Sequence, residues 1–213
     1  MTTILTVSLI LHVAFVGFET LNYFTNWTLV LSVLTFGTLF ISTYRIKKES
    51  GNLPQTANLD LLPVQSPSSL WRWAQILFQA GFCNTLGVTI CFWSLLADGI
   101  LPTFNETPLV KVIVSIDHIA PLLFYLVDSL CSMTTFEWRY FSLPLLIAII
   151  YTIFNIIQSK RTSATYSVLD WSAHPREAAV TQVLIFVILI LCFLFLWFYT
   201  KLKNSCYRRR YRQ

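Results

Sequence analysis

The chain has 213 residues, of which 55% are hydrophobic and only 12% charged, about half the roughly 25% charge of a soluble protein. A soluble fold of this length cannot hide that much apolar surface, so the bilayer is expected to cover it. The net charge of +5 is not a nucleic-acid footprint, because six of the fifteen Lys and Arg crowd into the last thirteen residues, directly after an apolar run.

Six stretches reach the about 20 residues needed to cross a hydrocarbon core of about 30 Å. They are Thr3–Asn22, Phe24–Tyr44, Trp71–Ala97, Leu109–Met133, Phe136–Gln158 and Glu177–Thr200. The expected fold is an all-α integral membrane protein, a bundle of six transmembrane helices over residues 1–200, followed by a basic tail at 201–213. Met1–Thr6 lacks the basic region of a cleaved signal peptide, so the first stretch reads as a retained span. Asn22–Asn26 forms the turn into the second. The linker Lys48–Ser69 is polar and carries Pro54, Pro63 and Pro67, which marks a loop. Thr107-Pro108 opens the fourth span as a cap followed by proline at the first helical position. No internal repeat of the kind found in transporters with related halves is present, which argues against a small transporter.

Orientation follows from the basic residues between spans. One side collects eleven: Arg45, Lys47, Lys48, Arg72 and Arg139, together with Lys201, Lys203, Arg208, Arg209, Arg210 and Arg212 of the tail. The other side holds four: Lys111, Lys160, Arg161 and Arg176. This split puts both termini in the cytoplasm, in the endoplasmic reticulum or plasma membrane, with the tail on anionic lipid at about 1 kcal/mol per charge. Asn105-Glu106-Thr107 is then a glycosylation sequon in an outer loop. Cysteine probes placed at Thr103–Thr107 and Lys160–His174 are expected to react from outside, and probes at Gly51–Pro67 or in the tail are not. Labelling of Gly51–Pro67 from outside would reverse the orientation.

The five cysteines, Cys83, Cys91, Cys131, Cys192 and Cys206, show no paired spacing. Neither a disulfide framework, a metal site nor a cofactor is indicated. Cys206, beside the last span, is a candidate for palmitoylation.

Ionisable groups inside a span are functional candidates, because burying them in hydrocarbon costs several kcal/mol. They are His12, Glu19, Asp117, His118 and Asp128. His12 reads as a helix-packing hydrogen bond, and Asp128 lies near the cytoplasmic end of its span. Asp117-His118 lies about 14 Å below the start of the fourth span. Pro121 follows, which frees the Asp117 carbonyl and is expected to kink the helix. Histidine is the side chain poised to exchange protons near neutral pH, although the residues alone leave a chemical and a packing role both open for His118. Glu19, Thr25, Asp170 and His174 fall in the same leaflet. A hydroxyl, an imidazole and carboxylates there can build a nucleophile–base pair with an orienting acid. Thr25, at a helix start, reads by itself as a cap.

Tyr23-Phe24-Thr25-Asn26-Trp27, the proline-containing stretch His118–Asp128, and Tyr166-Ser167-Val168-Leu169-Asp170-Trp171 together resemble the androgen-induced (FAR-17a-like) membrane protein family. The first and last stretches are closest to its rolling-stone branch. The resemblance covers nearly the whole chain and implies a six-span bundle with both ends inside. Some members hydrolyse fatty acid esters of hydroxy fatty acids with an intramembrane threonine nucleophile and a histidine. The matching positions here are Thr25 and His118, with Asp128 ten residues on. Ser115 stands where those hydrolases carry a second histidine, and the intervening proline is displaced. The resemblance implies an intramembrane lipid-ester hydrolase, to which the polar residues read from the shared leaflet add Glu19, Asp117, Asp170 and His174 as candidate supporting groups. Asn22 and Asn26 are nearby polar candidates for holding the oxyanion. The alternative is a non-catalytic scaffold or a cell adhesion and fusion factor, as rolling-stone proteins are associated with myoblast fusion.

Overall fold

In a computed structural model the described residues are Thr6 and residues 22–51, 69–96, 108–132, 134–162 and 164–210. The expected first span falls outside them apart from Thr6 and Asn22, and so do His12, Glu19 and the Asn105 sequon. Among the described residues there is no strand, and five helices are long and apolar enough to cross a membrane. They are α1 (Phe24–Gly51), α2 (Ser69–Cys91), α3 (Pro108–Cys131), α4 (Ser142–Arg161) and α5 (Pro175–Arg210). A helix is the form in which such a segment satisfies every backbone polar group within itself.

Their surfaces are arranged for an apolar solvent. On α5, Val180, Val183, Val187, Leu191, Phe195, Phe198 and Leu202 are exposed at spacings of three and four. On α4 the same is true of Leu146, Ile149, Ile150, Ile153 and Ile157. Each is an outward apolar stripe, the reverse of a soluble amphipathic helix. The interior holds polar side chains instead, among them Thr28, Ser32, Thr35, Gln79, Asn84, Asn155 and Gln182. Several are satisfied by helix carbonyls, as with Ser32 to Thr28 (2.7 Å) and Thr35 to Leu31 (2.8 Å). Helix α2 is the centre of the bundle and packs against all four others. Its Phe78 and Phe82 interlock with Tyr125, Phe136 and Phe193 as edge-to-face and stacked rings.

Three boundaries differ from expectation by more than a turn, the first being the end of α1, which runs past Tyr44 to Gly51. The span expected from Phe136 begins as an extended segment and a 3₁₀ turn, Trp138–Tyr140, and α4 itself starts at Ser142. Pro144 belongs in a first helical turn, where its missing N–H costs nothing. Upstream, Phe136 and Trp138 pack on Phe193, and the Phe136 N–H reaches Thr200 Oγ1 at 3.4 Å. Tertiary contact therefore holds this segment extended. At the other end α5 does not stop at Thr200. It continues to Arg210, 36 residues in all, about 54 Å long. The basic residues start as a helical extension, with the Lys201 ammonium 3.8 Å over the Trp197 ring. Lys203 reaches back to the carbonyls of Ser129 and Ser132 at the end of α3, the last-turn acceptors that a cation caps well.

Candidate active site

The start of α1 is fixed from three directions. Phe24 N–H donates to the Tyr166 hydroxyl at 3.3 Å, and the Phe24 ring stacks on Tyr151 at 4.6 Å. The Tyr151 hydroxyl donates to the Asn22 carbonyl at 2.7 Å. These contacts set the first turn of α1 against α4 and the α4–α5 loop, and they aim Thr25 inward.

Thr25 Oγ1 lies 2.8 Å from His118 Nε2, with both residues buried. His118 Nδ1 lies 2.7 Å from the Val114 carbonyl one turn earlier. A carbonyl only accepts, so Nδ1 carries the proton and Nε2 presents a lone pair to the Thr25 O–H. The tautomer is thus the one a general base needs. The Thr25 hydroxyl goes to the imidazole and not to a first-turn N–H, which answers the capping reading. Phe92 stacks on the imidazole at a centroid distance of 3.6 Å and an interplanar angle of 21°. Phe92 opens the π-helical turn Phe92–Leu96 that extends α2, a feature frequent at functional sites. The Thr89 hydroxyl lies 2.6 Å from the His118 carbonyl and bridges α2 to α3 just ahead of Pro121. Helix α3 runs through that proline.

Thr25 and His118 open on an apolar pocket of about 640 Å³ of unfilled space, its mouth included. It is walled by Phe92, Leu169, Ile185 and Leu189 and rimmed by Tyr151 and Tyr166. Its walls come from α1, α2, α3, α4, the α4–α5 loop and α5, so one end of the bundle assembles it.

The acids expected to support the pair do not all join it. Asp117 is buried and precedes His118 in the chain, and His118 Nδ1 bonds the Val114 carbonyl, a backbone group that helps orient the ring. Asp128 is ten residues further along α3, about 15 Å, where it interacts with Ser132 and Lys203. Asp170 closes a turn. Its Oδ1 accepts from the N–H groups of Ser172 and Ala173 at 2.9 Å each and from the Ser172 hydroxyl at 2.7 Å. Ser159 joins it at 3.4 Å and takes the Trp171 N–H at 3.0 Å, while Trp171 Nε1 bonds Asn155 at 3.2 Å. The Leu-Asp-Trp stretch thus pins the loop that carries Tyr166 to α4. His174 is exposed at the start of α5.

The N–H of Ala173 and the hydroxyl of Ser172 hold the Asp170 carboxyl down to about 2 from an ordinary 3.8. A depressed folded-state value stabilises above the ordinary value and loses that contribution as pH falls through the lower one. Amide exchange in residues 166–174 is therefore expected to accelerate, relative to the rest of the chain, between about pH 4 and pH 2. Asp170→Asn should show fast exchange in this loop already at pH 6, with no further step. An acid step that persists in that variant would assign it to another group.

The residues that sequence reasoning passed over are Phe92, Val114, Tyr151 and Tyr166. Tyr166 stood in a recognised stretch with no chemistry attached, and the others have no local signal. The chain matches no family model, no curated protein and no solved structure.

Proposed function

We propose that the chain is a multi-pass membrane hydrolase of fatty-acyl esters, such as fatty acid esters of hydroxy fatty acids, with Thr25 as nucleophile and His118 as base. The observation that carries this reading is the 2.8 Å bond from the Thr25 hydroxyl to an imidazole nitrogen whose ring partner forces it to accept. The apolar pocket beside it suits a hydrocarbon chain that arrives sideways from the bilayer.

In this mechanism Thr25 Oγ1 attacks the ester carbonyl carbon while His118 Nε2 takes the hydroxyl proton. The carbonyl π electrons move to its oxygen, giving a tetrahedral oxyanion. Collapse expels the alkoxide, which leaves as an alcohol with the proton from His118. Water then attacks the Thr25 ester, again giving its proton to Nε2, and the second collapse releases the fatty acid and restores Thr25. The buried, water-poor site strengthens each electrostatic contact. Orientation and compartment belong to the same reading: the site lies in the leaflet away from the basic tail, in the endoplasmic reticulum or plasma membrane.

The test is purified protein in lipid vesicles given an isotopically labelled ester, with quench and mass spectrometry. The expected result is fatty acid release and a transient acyl mass on the peptide containing Thr25. No hydrolysis of any lipid ester would remove the reading and leave the non-catalytic scaffold.

Gly87 lines the pocket next to Leu189. A Cβ at this position would come within 2.5 Å of Leu189 Cδ2 and 3.4 Å of its Cγ. That side chain can rotate, and the pocket is the open side. Gly87→Ala is expected to push Leu189 inward and shift preference to shorter acyl chains, with kcat/KM for the longest substrate falling by about 10–200-fold, the worth of a methylene-sized obstruction. An unchanged chain-length profile would place the acyl chain elsewhere.

A further inference from the structure

We propose that the Tyr166 hydroxyl is the oxyanion donor of this site, an assignment that rests on the hydrolase reading above. Tyr166 is buried, and its ring lines the same pocket as Thr25 and His118. Its oxygen accepts the Phe24 N–H at 3.3 Å, and Phe24 immediately precedes the nucleophile. Three side-chain hydroxyls meet at this end of α1, those of Thr25, Tyr151 and Tyr166, and Tyr166 interacts with both of the others.

Counting protons separates the three. The Thr25 proton points to His118 Nε2, and the Tyr151 proton goes to the Asn22 carbonyl. Each hydroxyl has one proton, so among the three the Tyr166 O–H is the one left over, with Thr25 Oγ1 and Tyr151 Oη as the oxygens beside it. The Phe24 N–H on the Tyr166 oxygen polarises that O–H and makes it a stronger donor. Burial pushes the Tyr166 phenol above its ordinary value, so it stays protonated and able to donate.

The chemistry follows from position. When Thr25 Oγ1 bonds to the carbonyl carbon, the oxyanion forms on the atom next to that carbon, within a short swing of a donor already beside Oγ1. Tyrosine hydroxyls are among the groups that serve as oxyanion donors. The donor is rigidly held. Tyr23 packs edge-on against the Tyr166 ring at 5.6 Å, and the Asp170 turn with its Ser159 and Asn155 bonds anchors the loop to α4. Asn22 and Asn26, the polar neighbours visible in the sequence, are not needed for this role.

The experiment uses the full chain in lipid vesicles and compares two inhibitors. A long-chain trifluoromethyl ketone adds Thr25 and bears the oxyanion, and the corresponding ether imitates only the bound substrate. Tyr166→Phe keeps the ring and removes the hydroxyl. It should lower kcat by about 100–1,000-fold, the worth of one oxyanion donor, and weaken the ketone in proportion, with KM and ether affinity little changed. Ser159→Ala loosens the same loop without removing the hydroxyl and should lower the ketone-to-ether ratio far less than Tyr166→Phe does. If Tyr166→Phe is not recovered folded, Tyr166→3,5-difluorotyrosine keeps the hydroxyl as a stronger donor and should tighten the ketone relative to the ether.

Full kcat and ketone affinity in Tyr166→Phe, an equal loss in Ser159→Ala, or an unmoved ratio in the fluorinated variant would each overturn the assignment while the wild type still hydrolyses esters. A wild type that hydrolyses nothing and forms no ketone adduct on Thr25 would remove the hydrolase reading, and this proposal with it.

Discussion

Thr25→Ala and His118→Ala should each lower acyl-ester turnover by about 1,000-fold or more, and the double variant should be no worse than the more damaging single. Removing a positioned base alone costs about 10²–10⁴-fold, with about 1,000-fold at the middle of that range, and loss of the nucleophile is at least as severe. Non-additivity is the sharper signature, because a base without its nucleophile has no proton to take. Thr25→Ser should retain measurable turnover, since the hydroxyl survives and only the methyl that restricts its rotamer is lost. Stability has to be followed in parallel. Removing the Thr25 hydroxyl leaves a buried imidazole nitrogen without its donor, at a cost of about 1–3 kcal/mol. A scaffold would show only that loss, with the two substitutions adding nearly independently and no turnover to lose. Strong hydrolysis surviving in Thr25→Ala would exclude the nucleophile outright.

The helices were legible because apolar length is a local property. Their ends were less so. The Phe136 segment has the composition of a span, yet rings on α5 hold it extended. The run after Thr200 reads as a tail by charge but stays helical. The site was legible in part. Topology alone placed Thr25 and His118 in one leaflet, and resemblance paired them, but the bond joins residues 93 apart in sequence. No periodicity reports a contact of that kind. Thr25 looked like a cap because hydroxyls at helix starts generally are, and only the position of α3 redirects it. Asp170 misled in the opposite sense: an acid in the correct leaflet is consumed by the two N–H groups that follow it. Tyr166 escaped notice because its value lies in a bond to Phe24, 142 residues away.

Gly81→Ala is expected to destabilise the bundle core, and the sign of the change decides between two effects. Alanine is the better helix former by about 1 kcal/mol, so propensity alone predicts stabilisation. Packing predicts the reverse. A Cβ on Gly81 would collide with the Tyr125 hydroxyl and stand 2.7 Å from its Cζ and 3.2 Å from Thr35 Oγ1. Tyr125 has no room to retreat. It is fully buried, stacked on Phe82 at 5.4 Å and wedged between Phe36 at 4.9 Å and Phe78 at 5.3 Å. Overpacking of this kind costs about 1–3 kcal/mol or more, which exceeds the propensity gain. At about 2–4 °C per kcal/mol for a chain of this size, Tm in detergent should fall by several degrees. Gly37→Ala is the internal control, since a Cβ there meets nothing within 4 Å, and it should hold or raise Tm. Tyr125→Phe removes the nearest atom of the clash but leaves the ring, so it should rescue Gly81→Ala in part, with a coupling of about 1 kcal/mol between the two sites. A Gly81→Ala protein as stable as the wild type, or no coupling to Tyr125→Phe, would mean that α2 and α3 do not approach as closely as this packing requires.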